Sequence, residues 1–155
     1  MQNELLLSDL FSHWERQRHL TLAPNLSPSE ITAFETRNGV SVPADFSQYL
    51  RHANGFKALI DDSDLEASDD EGFEFYPLLE EHLITKRYLV FCGWPYGFLR
   101  YAVCVDKAAE NGAVVQVIDE NRGRLLATNF LAFVSLYLVD SELLYSAGTE
   151  VVSLR

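Results

Sequence analysis

Tyr88-Leu89-Val90-Phe91-Cys92, Phe98-Leu99-Arg100-Tyr101-Ala102-Val103-Cys104-Val105, Ala113-Val114-Val115-Gln116-Val117-Ile118 and Arg124-Leu125-Leu126-Ala127 follow one another within forty residues. Each is a short run, most of them rich in β-branched and aromatic side chains, and reads as a strand. The connections are Gly93–Gly97, Asp106–Gly112 and Asp119–Gly123, of five to seven residues. A parallel crossover needs about a dozen or more. These strands therefore form an antiparallel sheet, largely a meander.

Outward from the meander, Phe73-Glu74-Phe75-Tyr76 alternates as one more strand, and the pattern before residue 56 is helical. Leu6, Leu7, Leu10, Phe11 and Trp14 share one stripe at the 3.6-residue period, and Pro24 is expected to stop that helix. Ser27-Pro28-Ser29-Glu30 is a capping box with Pro at the first helical position. It opens a helix through Ile31 and Phe34 that ends at Asn38-Gly39, with Gly left-handed. A third helix starts at Pro43, with Asp45 in its first turn, buries Phe46, Tyr49 and Leu50, and ends near Asn54-Gly55. Beyond the strands, Asn129 caps a helix to about Val139 that is apolar nearly all round and so packs on the sheet. Helices, then strands, then a helix give an α+β class: N-terminal helices, an antiparallel meander sheet and a C-terminal helix packed on it. At 155 residues, 48% hydrophobic, one core and a single domain over 1–155 are expected.

Met1 to Leu10 lacks the features of a secretory leader, and no segment approaches the ~20 apolar residues of a membrane span. A cytoplasmic setting is expected, with Cys92 and Cys104 as reduced, buried thiols. A disulfide between adjacent strands is the alternative. Net charge is −11, from 23 acidic and 12 basic side chains. Ten of the carboxylates lie between Asp61 and Glu81, a stretch without Lys or Arg. The remaining 134 residues hold thirteen acids and twelve bases and are nearly neutral. Such a localised field repels nucleic acid and anionic membranes and attracts basic surfaces.

No Gly-rich phosphate loop, Gly-x-Ser-x-Gly elbow, His-Glu-x-x-His or Cys-x-x-Cys occurs, so the usual catalytic and metal motifs are missing. His13, His19, His52 and His82 are scattered and read as surface or half-buried residues. A calcium loop begun at Asp62 fails, because Ala67 stands where Gly is required and Phe73 where the bidentate Glu is required. Carboxylates on a hydrated loop keep near-normal acidity and make poor general acids. Catalytic residues, cofactors and metals are accordingly not expected, and a small enzyme is the least favoured reading. A solvated loop with no specific role is the bland reading of the acidic residues 61–72. The concentration of the imbalance there favours binding. Gly93-Trp94-Pro95-Tyr96-Gly97 is an aromatic hairpin loop whose rings either fold onto the core or anchor a partner, as Trp and Tyr do at interface hot spots. The candidate partner-binding set is Asp61, Asp62, Asp64, Glu66, Asp69, Asp70, Glu71 and Glu74 with Trp94 and Tyr96.

Residues 29–56 carry a further pattern: a helix with Glu35, a turn at Gly39, Val42-Pro43, Asp45-Phe46, Tyr49-Leu50 and Asn54-Gly55. With the later Gly112 to Val117 strand and the closing Asn129-Phe130 helix, it resembles the SUKH superfamily (Smi/Knr-type domain) over about residues 27–140. That resemblance implies an α+β fold and binding without catalysis. The family includes fungal regulators of cell-wall synthesis and bacterial immunity proteins that neutralise toxins, often nucleases. A member of the immunity branch would bind a cognate toxin or another basic protein, here through the acidic surface. The alternative is a non-catalytic interaction module regulating a cellular complex. Binding residues do not carry over, because partner surfaces differ from toxin to toxin. Glu35, Pro43, Phe46, Leu50 and Gly55 have physical reasons to be structural, with Glu35 within reach of backbone donors at the Gly39 turn or the next helix.

Overall fold

The meander is present, and it forms the centre of a larger sheet. The computed structural model describes residues 2–17, 20–58, 73–94, 99–108, 110–146 and 150–155. Within them lie α1 (Gln2–Glu15), β1 (Leu20–Leu22), α2 (Pro28–Asn38), α3 (Ala44–Leu50), β2 (Phe56–Ala58) and β3 (Glu74–Phe75). A short 3-10 turn (Glu80–His82) leads into β4 (Leu83–Thr85), β5 (Tyr88–Gly93), β6 (Arg100–Cys104), β7 (Val114–Val117) and β8 (Arg122–Ala127). The chain closes with α4 (Phe130–Leu138), α5 (Leu143–Ser146) and β9 (Val151–Ser153). The main sheet has the order β3-β5-β6-β7-β8-β9, with β4 also paired to β5. Every pairing is antiparallel. The fold is α+β, with N-terminal helices and α4 on one side of an antiparallel sheet.

The helix signals act where the sequence places them. Ser27 and Glu30 complete the capping box of α2, and Gly39 ends it at φ 65°. Asn129 caps α4 by accepting from the Ala132 N–H. No residue of α4 is fully exposed, because the helix packs on α1, α3 and β8. The first helix spans its apolar stripe but ends earlier than expected, at Glu15 and not at Pro24. Leu20-Thr21-Leu22 instead alternates at period two and pairs with β2, Leu20 opposite Ala58 and Leu22 opposite Phe56. Pairing with a segment more than thirty residues away outweighs any local helix preference there.

Both faces of the sheet are buried, which is why its strands read as continuous apolar runs rather than alternating ones. On the helix side, Leu89, Phe91, Tyr101, Val103 and Val114 join Trp14, Phe46 and Phe133 in the main core. A register shift between Val90 and Cys92 turns both Phe91 and Cys92 to that side, as a bulge does. Tyr88, Val90, Ala102, Cys104 and Val115 form a smaller cluster on the opposite face. No helix covers it. The C-terminal segment does, with Leu154 fully buried there. That segment is fastened by the Leu154 N–H to Asn121 O (2.8 Å), by Thr85 Oγ1 to Leu154 O (2.7 Å) and by Arg87 to Arg155 O. Cys92 and Cys104 are both buried, and neither is in a disulfide. They lie on different faces and at different ends of the β5–β6 pair, so the disulfide alternative is removed.

Candidate functional site

The signature between Glu35 and Gly55 forms a structural clasp. Glu35 accepts the Val42 N–H at 2.8 Å, which fixes the turn between α2 and α3. Asp45 uses both oxygens: Oδ1 accepts the Phe46 N–H and Oδ2 the Leu131 N–H. One carboxylate thus satisfies N-terminal donors of two helices. Phe46, Tyr49 and Leu50 are core. Asn54 does not end α3, which stops at Leu50. Its side chain accepts the Leu78 N–H at 2.8 Å, and Gly55 lies against the Phe75 backbone. The pair therefore ties the end of the helical third to β3. These side chains are consumed by the fold, and a partner surface has to be sought elsewhere.

Of the candidate binding set, Asp61, Asp62, Asp64, Glu66, Asp69, Asp70, Glu71 and Tyr96 lie outside the described residues, as does His19. The two described members do not share a face. Glu74, at the start of β3, stands in a row with Gly93 and Arg100 across three strands. Over that row lies the Tyr76 side chain, whose hydroxyl would touch any Cβ at position 93. Burial and the Glu74 carboxylate push the Tyr76 phenol above its ordinary acidity range, and Arg100 opposes them. Glu74 thus faces the side of the sheet away from the helices, beside a concavity lined by Tyr76, His82, Arg100, Glu120, Asn121 and Arg155. Further along the acidic run, Glu80 pairs with Arg37 at 2.9 Å.

Trp94 is on the other side. It is half-buried and packs against the main core, its ring 5.3 Å from Phe73 and 6.0 Å from Tyr145. Its Nε1 is buried with no hydrogen-bond partner among the described residues. Phe73 in turn stacks on Tyr101 and meets Tyr137 edge-on. The first described residue after the acidic stretch is therefore anchored in an aromatic cluster that also holds α5.

The sequence gives no notice of what α5 presents. Val139, Leu143 and Tyr145 are 74%, 48% and 42% exposed, while Leu144 between them is fully buried. The available signal is the absence of any Lys or Arg between Arg124 and Arg155. Histidines 13, 52 and 82 pack individually against Tyr137, Phe11 and Tyr76. Among the described residues no three His, Cys, Asp or Glu side chains converge as metal ligands do. Nor is any described helix long and apolar enough to cross a membrane.

No curated protein matches the chain in sequence. A family model described as the SMI1 / KNR4 family (SUKH-1) matches residues 25–136. The match runs from just before the capping box of α2 into α4, so the clasp and the meander both fall inside it. Over most of its length, then, the chain belongs to the SMI1/KNR4 (SUKH-1) family.

Proposed function

We propose that this chain is an immunity protein that acts by binding, not catalysis: it sits on a cognate basic toxin and blocks it, in the cytoplasm of the cell that makes it. The observation that carries this reading is the distribution of charge. Ten carboxylates and no Lys or Arg occupy residues 61–81 of a domain that is otherwise nearly neutral. A toxin that cuts nucleic acid needs a basic cleft to hold phosphates, and an acidic surface competes for that cleft with the same electrostatics. Family membership supports a binding role, and the signature residues support it indirectly, since they are used up in folding. The family also supports a second reading, an interaction module regulating a cellular complex, because its resemblance extends to regulators of cell-wall synthesis.

Co-expression separates the two. Where a neighbouring reading frame encodes a large protein with a basic toxin-like C-terminal domain, that domain is expressed with and without this chain, and surviving cells are counted. Protection, with a stable complex of the two purified proteins, is expected. Toxicity that persists at full expression of this chain removes the immunity reading.

A further inference from the structure

We propose that Val139, Leu143 and Tyr145, with Asp140 and Glu142 among them, form a docking ridge for a basic amphipathic helix of a partner protein. The proposal rests on the binding function above and assigns it an anchor that the acidic run alone does not supply.

Three large apolar side chains are exposed within seven residues, while Leu144 among them is fully buried and helps to seat α5. The ridge is held rigidly from below: the Tyr101 hydroxyl donates to Leu144 O, and Tyr145 meets Trp94 and Phe73. The turn that raises it is unusual. Asp140 N–H donates to Tyr137 O and Ser141 N–H to Leu136 O, the double bond pattern that ends helices with a left-handed residue, usually Gly. Here that residue is Asp140, at φ 49°, the only non-Gly residue with positive φ among those described. Its carboxylate accepts the Tyr145 hydroxyl, which sets an acid and an aromatic ring on one surface. Asp at a position where Gly is easier supplies both that hydrogen bond and a negative charge on the ridge.

The occupant follows from charge complementarity. From residue 125 to 154 the chain carries Asp140, Glu142 and Glu150 and no Lys or Arg. The ridge also adjoins Phe73, the first described residue after the acid-rich stretch. A second copy of this chain would bring like charges together, and nucleic acid or an anionic membrane would be repelled. A helix with an apolar stripe flanked by Lys and Arg satisfies both the ridge and its rim.

The test uses a labelled synthetic Leu/Lys amphipathic helical peptide, with fluorescence anisotropy for affinity and amide NMR shifts for location. Shifts centred on residues 139–145 are expected. Leu143→Glu is the decisive variant, because it adds a negative charge. If attraction is only a matter of field, the peptide binds as tightly or more tightly, and the proposal is overturned. If the ridge anchors it, affinity falls about tenfold or more. Asp140→Gly should weaken binding while leaving the urea midpoint equal or higher. Val139→Ser, at the most exposed position, guards against unfolding as the cause and should also weaken binding. Protection from the toxin that survives Leu143→Glu would overturn the ridge and leave the immunity reading standing. Peptide docking at the ridge without any protection would do the reverse.

Discussion

Gly39 and Gly55 both hold a left-handed backbone, at φ 65° and 78°, but for different reasons. A Cβ at Gly39 meets nothing within 4 Å. Ala there suffers only the backbone penalty of an L-residue in that region, about 1–2 kcal/mol. A Cβ at Gly55 would lie 2.3 Å from the Phe75 carbonyl oxygen. Backbone cannot swing aside as a long side chain can, so the overpacking adds about 1–3 kcal/mol to the same strain. Gly55→Ala should therefore lower the urea midpoint clearly more than Gly39→Ala. Equal midpoints would mean that the approach of Gly55 to β3 is not tight in solution. In sequence the two glycines look alike, each following Asn at an apparent helix end. The first is that. The second is a long-range contact, invisible to a local pattern, as is the use of Asn54 to hold the Leu78 N–H. Glu35 was readable as a backbone acceptor because its target, the turn after Gly39, is close in the chain. The second role of Asp45, at Leu131, crosses 86 residues and leaves no local trace.

At the scale of elements, the sheet buries tyrosines on both faces, Tyr101 toward the helices and Tyr88 away from them. Burial pushes the Tyr88 phenol up to about 12, helped by the nearby Cys104. It likewise raises Tyr101, and Tyr49 on α3. In the unfolded chain these phenols ionise near pH ~10. Above that value the unfolded state has lost protons that the native state retains, so stability falls as pH rises. Their contribution is whole below about pH 10 and is lost as pH climbs toward the native values. Tyrosinate absorbance followed with circular dichroism should show these three phenols ionising only as the fold is lost. Full titration of all seven tyrosines with native dichroism intact would refute the buried placement. The strands bearing Tyr88 and Tyr101 were legible because a strand buried on both faces is a continuous apolar run bounded by turn residues. Strands β1, β4 and β9 have three residues each, and α5 has four. At those lengths no period can establish itself, and only tertiary pairing defines the element. The C-terminal strap was missed for this reason, and with it the second, smaller core.

Over the whole molecule the charge is asymmetric, and the asymmetry separates two kinds of contribution to binding. Exposed carboxylates act through a field screened within about 8–10 Å at ordinary salt. They steer a basic partner and raise its association rate more than they slow its departure. On the proposed immunity function, reversing Asp69, Asp70 and Glu71 to Lys should slow association with the toxin partner and flatten its dependence on salt. Trp94 should behave otherwise. Its ring packs on Phe73 and Tyr145 against the core, so Trp94→Ala removes packing and should cost about 2–3 kcal/mol of stability. It should leave the salt dependence of association unchanged, because no charge is altered. Surface plasmon resonance at several salt concentrations, with urea unfolding of the same variants, resolves all four quantities. A triple reversal that leaves association as fast and as salt-sensitive as before would dismiss the acidic run as the steering surface. Steering would then have to come from the stretch 125–154, which holds no Lys or Arg and where Asp140 and Glu142 stand among exposed apolar side chains. In that case Asp140→Lys, not the triple reversal, would be the change that slows association.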